Sequence, residues 1–271
     1  MSRFRLLLEY DGTRYSGWQI QKNARTVQGD LIQALREVFQ TTELELQGAG
    51  RTDAGVHASG QVAHLDVQTV LAPEIIRMKI NDLLPPDINI IEVEKAPATF
   101  HARHDALSRR YVYTLSRRRT AFHKRFVWWV KDPLAVGAMK EAALHFTGMK
   151  DWRAFTDADP EEVSTKAMIH ALTITEEGDR ILIRIEGSHF LWKLVRRMVG
   201  VLVEVGRGAL PVRDVPGVFT NGSEYVARHT APPSGLFLES VKYSDESERG
   251  MIKKPGFAKH PRGHRKGSRG R

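Results

Sequence analysis

The chain of 271 residues predicts an α+β fold built from two mixed halves with largely antiparallel sheets. Several period-two apolar alternations follow one another with no helix between them, which favours antiparallel pairing over a doubly wound parallel sheet. A similar order of strands and helices occurs on either side of residue 105, without a close sequence repeat. The 41% hydrophobic content supplies a core for one large domain or two ordinary ones.

Each element has its own signal. Phe4, Leu6, Leu8 and Tyr10 alternate as a first strand, and Val27, Leu31, Leu35 and Val38 recur at helical spacing behind a capping Thr26. Gln61 to Val67 predicts a strand with Ala63, Leu65 and Val67 on one face. Pro73 opens a helix carrying Ile76, Ile80 and Leu83, and Ile88 to Val93 reads as the next strand. In the second half, Arg110 to Leu115 and Phe126 to Val130 predict strands. Ala135, Met139, Ala142 and Phe146 line a helix ended by Gly148, and Ile181, Ile183 and Ile185 mark a strand. A last helix runs from about Phe190 to Val205, with Leu191, Leu194, Val195, Met198 and Leu202 as its buried stripe. Beside that stripe Lys193, Arg196, Gly200 and Arg207 fall on one line that could border a cleft. Gly200 inside a helix costs roughly 1 kcal/mol against alanine and hints at a close backbone contact or a bend. The expected division is 1–105, 106–245 and a tail, 246–271.

Charge is placed unevenly. Net charge is +9, and residues 249–271 hold nine Lys or Arg and no acid, so residues 1–248 are formally neutral. The tail has too little apolar surface to fold and reads as a disordered arm, either a plain solvated extension or a source of salt-sensitive affinity for phosphates. Between Arg109 and Arg125 lie seven basic residues and no acid, interleaved with Tyr111, Tyr113 and Phe122. Such a mixture suits a polynucleotide, although a solvated strand pair looks similar. With no cysteine, disulfide frameworks, thiolate metal sites and cysteine nucleophiles are excluded together. The N-terminal apolar run is too short for a signal peptide and no later run approaches a membrane span, so a cytoplasmic protein is expected.

Gly48-Ala-Gly-Arg51-Thr52-Asp53-Ala-Gly55-Val-His57-Ala58 places one acid among small residues that let the backbone bend tightly and approach a bulky ligand. An Asp beside glycines is commonly a turn former. A phosphate-binding loop is rejected, because no Gly-Lys-Ser/Thr ending follows and the glycine spacing fits neither nucleotide fingerprint. The eleven histidines include the pairs His101 with His104 and His57 with His64, but no metal-site pattern, and His57 is expected to be a structural hydrogen bonder.

Taken jointly, the blocks from Tyr10 to Leu238 resemble the tRNA pseudouridine synthase A family. Tyr10-Asp11-Gly12-Thr13, Gly17-Trp18-Gln19 and Thr26-Val27-Gln28-Gly29 look like its opening signature, and Gly50 to Ala58 like its catalytic segment. Leu84-Pro85-Pro86-Asp87, Phe100-His101-Ala102-Arg103, Arg110-Tyr111-Val112-Tyr113, Phe190-Leu191, Val195-Arg196, Val199-Gly200, Ala231-Pro232 and Gly235-Leu236 are similar to further blocks. Leu194 stands where a methionine is common, and the tail extends beyond the usual end.

The resemblance implies the pseudouridine synthase fold, with a central catalytic cleft, and an isomerase (intramolecular transferase) turning uridine into pseudouridine at positions 38, 39 and 40 of the tRNA anticodon arm. It implies Asp53 as the catalytic carboxylate, Tyr111 stacked on the target base and Arg196 paired with the aspartate. Arg51, Arg109, Arg110 and Leu236 are the further expected substrate contacts, Arg51 by filling the space a turned-out base vacates. It implies a homodimer, no cofactor, no metal and no membrane. The alternatives are a non-catalytic RNA-binding protein of the same fold, a synthase acting on another RNA, and a nuclease, which would want metal-binding acids or a histidine pair at phosphate.

Overall fold

A computed structural model describes residues 1–244 other than 160 and 162; the expected arm, 246–271, lies outside the described residues. In chain order the elements are β1 (Ser2–Tyr10), α1 (Val27–Phe39), β2 (Leu44–Gly48), β3 (His57–Val67), α2 (Pro73–Leu83), β4 (Ile88–Ala96), β5 (Ser108–Ser116) and β6 (Trp128–Trp129). They continue with α3 (Val136–Ala143), β7 (Gly148–Asp151), β8 (Lys166–Glu177), β9 (Arg180–Gly187), α4 (Leu194–Gly206), α5 (Val215–Asn221), α6 (Ser223–Arg228) and β10 (Leu236–Lys242).

All ten strands of the described residues belong to one sheet, in the order β4-β1-β3-β10-β5-β9-β8-β7, with β2 beside β3 and β6 beside β5. The two stretches on either side of residue 105 therefore share a sheet. Pairing is antiparallel except at β5 with β6 and at β10 with β3, where only Phe237↔His57 and Leu238↔Ala58 are in register. β10 is the seam: it pairs on its other side with β5, from Leu236↔Tyr113 to Lys242↔Ser108.

The period-two signal of β1 buries Phe4, Leu6, Leu8 and Tyr10 on one face. Leu31 and Leu35 of α1 and Ile76 and Ile80 of α2 join the same core. Thr26 caps α1 by accepting a hydrogen bond from Gly29 N, and Pro73 stands at the start of α2, where its missing N–H costs nothing. No helix among the described residues is long and apolar enough to cross a membrane.

Several expected details differ. β3 is longer than Gln61–Val67 and buried on both faces, because residues 97–107 cross its far side, where His64 Nδ1 accepts from Ala102 N at 3.2 Å. Leu83 is the last residue of α2 and exposed, since the chain leaves through Leu84 in an extended conformation. The strand expected over 126–130 is reduced to Trp128–Trp129, for a turn holds Phe126 N to His123 O. α3 ends at Ala143, tightens into a 3-10 turn at Leu144–Phe146, and Gly148, at φ +90°, opens β7. α4 starts at Leu194 because Lys193 is left-handed, at φ +62°, so Leu191 precedes the helix and is only partly buried. Twelve of the thirteen α4 residues are buried, so it is a central helix and not an amphipathic surface one.

Candidate active site

Residues 49–56 form a loop between β2 and β3 whose backbone is tied down on nearly every side. Ala49 N donates to Val62 O at 2.7 Å, and Gln61 Nε2 donates to Gly50 O at 2.9 Å. Trp18 N donates to Thr52 O, Gly55 N to Tyr15 O, and Val56 N closes a turn onto Asp53 O. Under the loop the Tyr10 hydroxyl and Thr52 Oγ1 lie 2.8 Å apart, both side chains buried. The residues after β1 lie directly against this loop. A side chain at Gly17, which is at φ +94°, would meet Thr52 O at 2.5 Å, so only glycine permits this approach. The Asp at 53 is thus a fixed projection, not a residue free to satisfy itself.

Asp53 points across to α4. Its Oδ2 lies 3.3 Å from an Arg196 guanidinium nitrogen, and the two side chains are 25% and 16% exposed, enough for a ligand to reach both. Arg196 is aimed by its own backbone surroundings: its Nε donates to Ala231 O at 2.7 Å, while Ala231 N returns a bond to Arg196 O. The close contact hinted at by Gly200 is real, for a Cβ there would fall on the carbonyl of His229, well inside contact distance. That glycine lets residues 229–231 lie against α4 and hold Arg196.

Tyr111 stands on β5, paired with Leu238 of β10, with Phe190 edge-on at 5.0 Å between ring centroids. It is 7% exposed, and its hydroxyl has no hydrogen-bonding partner among the described residues. Burial first, then the neighbouring Tyr10 and Asp53, push the phenol above its usual range, so it is a neutral donor at physiological pH. An unpartnered phenol between a carboxylate and an aromatic edge can lie against a flat ligand and offer it a proton.

The other expected contacts divide. Arg51 is exposed with no ion pair or hydrogen bond among the described residues, as a group meeting an incoming ligand requires. Leu236 is buried and paired with Tyr113, whose hydroxyl donates to Pro232 O at 2.7 Å; it is on the Tyr111 face of β10. Arg109 is turned inward. It is 8% exposed and spends its guanidinium on the carbonyls of Ala49, Arg103, Ala106 and Ser188, so it is not offered to a polyanion. Strand alternation puts Arg110 on the face opposite Tyr111, where it pairs with Glu186. The basic run dissolves further, because Arg117 pairs with Glu176 and Arg118 with Asp179 across the sheet. Spacing along a chain cannot reveal acids supplied by other strands.

His57 is the structural hydrogen bonder expected. Fully buried, it accepts from Gly12 N at Nδ1 (3.0 Å) and contacts Arg125 O through Nε2 (3.0 Å), with its ring stacked on Phe237. Burial lowers its basicity and its Nδ1 lone pair serves the amide, so Asp11 at 3.1 Å is a neighbour and not an ion-pair partner. The rings of His101 and His104 meet at a tilt, with centroids 4.2 Å apart; among the described residues no group of three or more His, Asp or Glu is placed to hold a metal ion. Tyr10, Thr52, Gln61 and Phe190 shape the site but carried no individual signal in the sequence. Only their membership of matching blocks pointed at Tyr10, Thr52 and Phe190.

The family model described as tRNA pseudouridine synthase matches residues 7–105 and 142–244. A tRNA pseudouridine synthase A of Myxococcus xanthus is 41% identical over 248 residues, covering 90% of this chain and 93% of that one. Those of Bartonella tribocorum and Thermodesulfovibrio yellowstonii are 40% and 37% identical, each over 90% of this chain and 100% of their own. Among solved structures, a chain of a Cbf5-Nop10-Gar1 complex overlaps at a TM-score of 0.31 and 11% identity over 73% of this chain and 54% of that one, too slight to bear on the site.

Proposed function

Because this chain belongs to the tRNA pseudouridine synthase family, we propose that it isomerises uridines in the anticodon arm of tRNA, at positions 38, 39 and 40, with Asp53 as the catalytic carboxylate. The observation that carries the reading is the meeting of Asp53, Arg196 and Tyr111, from three distant parts of the chain, around one partly open carboxylate. In the overall change the N1–C1′ bond of the nucleotide breaks, a C5–C1′ bond forms, the C5 hydrogen leaves and N1 gains one. Atoms and electrons balance without a redox partner.

Asp53 serves either by attacking the sugar carbon or by removing a ribose proton, and in both cases it must arrive ionised. RNA phosphates around it oppose that charge, and Arg196, whose guanidinium stays protonated, counters them. Tyr111 lies against the freed uracil and holds it while it turns. A target base must leave its stack to reach the loop, at a cost of a few kcal/mol, and Arg51 occupies the vacated space. Residues 1–105 supply the carboxylate wall and residues 106–245 the Tyr111 and Arg196 wall. The working form is a homodimer, each anticodon arm bridging two subunits, and the setting is cytoplasmic.

Asp53→Asn is the test, assayed on unmodified tRNA transcripts with chemical mapping of pseudouridine. The variant should keep its fold and its tRNA affinity and lose turnover by at least about 1,000-fold. Pseudouridine formed at a measurable fraction of the wild-type rate would remove Asp53 from the chemistry. A wild-type protein that binds tRNA without modifying it would be the non-catalytic binder.

A further inference from the structure

We propose that Arg109 is a positioning residue for the reaction assigned above, clamping the Asp53 loop to the strand and turn that present Tyr111. The inference rests on that reading of Asp53.

Arg109 and Tyr111 are two residues apart on β5 and so share a face of the sheet. From there the guanidinium reaches four carbonyl oxygens in three separate segments. It donates to Ala49 O (3.0 Å), at the root of the loop carrying Asp53, and to Ser188 O (2.8 Å), in the turn carrying Phe190 to the edge of Tyr111. It also donates to Arg103 O (2.6 Å) and Ala106 O (3.1 Å), in the passage between β4 and β5. The loop's other backbone ties, from Tyr15, Trp18, Gln61 and Val62, all come from within the same half of the chain. Arg109 is the brace from the opposite wall. It fixes the loop relative to the aromatic pair, not merely relative to its own neighbours.

The choice of residue supports a demand for geometry. Among the described residues no acid pairs with this buried guanidinium, and its hydrogen-bond partners are all carbonyl oxygens. Burying a cation without a counter-ion is costly, and a core needing only cohesion is served as well by an apolar side chain. A planar fork with five donors in fixed directions is what several carbonyls converging from different segments require. A lysine keeps the charge but cannot span them, so charge and geometry can be separated by substitution. Since displacement of a reacting group by about 1 Å costs on the order of 100-fold in rate, a loosened loop should be felt in chemistry before it is felt in binding.

The experiment compares wild type, Arg109→Lys and Arg109→Gln on tRNA transcripts, measuring kcat, KM, the Kd of tRNA and thermal stability. Expected is a 30- to 300-fold fall in kcat for Arg109→Lys, consistent with the rate penalty above, with Kd within about twofold of wild type and a folded, cooperatively melting protein. Arg109→Gln should fall at least as far, and its tRNA affinity should show that loss of charge is not what hurts. Wild-type kcat in Arg109→Lys overturns the proposal. So does a loss confined to Kd and KM, which would make Arg109 the RNA contact that its sequence context suggested, and so does failure of both variants to fold, which would make it a core brace only. Those outcomes leave a wild type that makes pseudouridine; failure of the Asp53 reading is distinguished by activity surviving in Asp53→Asn or by an inactive wild type.

Discussion

At the scale of single residues, the site is governed by what the backbone permits around one acid. Gly200 allows residues 229–231 to touch α4, and that contact holds Arg196 through Ala231. Gly200→Ala should therefore cost about 2 kcal/mol or more from overpacking, read as a lowered urea midpoint, and lower kcat as well through the displaced guanidinium. Arg51 carries the opposite kind of prediction, since it makes no hydrogen bond or ion pair among the described residues. Arg51→Ala should leave the melting temperature unchanged and slow single-turnover chemistry by roughly 10- to 100-fold, more than it weakens tRNA binding. A loss of affinity equal to or larger than the rate loss would rule out its role beside the turned-out base. Asp53 was legible because its small neighbours and the matching blocks marked it. Arg109 was not, because a buried and an exposed arginine look alike in sequence, and its partners are backbone carbonyls without residue identity.

At the scale of elements, the longer apolar alternations were read as strands, whereas short or mixed ones were missed. β1 and β9 show clean alternation and are read directly. β2 is short, β8 carries the mixed run Lys166–Glu177, and β10 carries Leu236–Lys242; none was read as a strand, and their positions are set by partners. Helix ends depended on local geometry, as with the left-handed Lys193. The far face of β5, β9 and β10 is joined by Glu186, which accepts from Lys242 (2.7 Å), Arg110 (2.6 Å) and Ser108 (2.9 Å). Burial by itself raises this carboxyl, but the three hydrogen bonds outweigh it and bring it from 4.5 to about 2. A folded value below the unfolded one gives stability that is complete above about pH 4.5 and is lost as the pH falls toward 2. Glu186→Gln should thus cost on the order of 2–3 kcal/mol at pH 7, allowing for partly exposed partners. The difference from wild type should vanish near pH 2 in denaturant titrations; an equal deficit at both pH values would refute the assignment.

For the whole molecule, the α+β class with largely antiparallel pairing was legible from the succession of elements, whereas the single sheet was not. Two similar halves predict two sheets as readily as one, and only the placement of β10 decides between them. The neutral body and the nine cations of 249–271 set a further expectation, because a sequence-blind basic segment adds affinity in proportion to the counterions it displaces. Deleting residues 249–271 should weaken tRNA binding at low salt and flatten the slope of log Kd against log salt, with kcat on saturating tRNA unchanged. An identical slope would make the segment a bystander.

The seam strand carries a consequence for biosynthesis. Asp53, Tyr111 and Arg196 are all translated before β10, yet the loop of the first and the strand of the second are joined across the sheet through it, by as few as two residue pairs on the β3 side. While the ribosome is still extending the chain, the earlier strands can form only separate, unfinished sheets with open edges. On the proposed assignment, a nascent chain therefore completes the site only once β10 has been made, and a message truncated upstream of codon 236 should yield a product that is inert, not one that is merely slower.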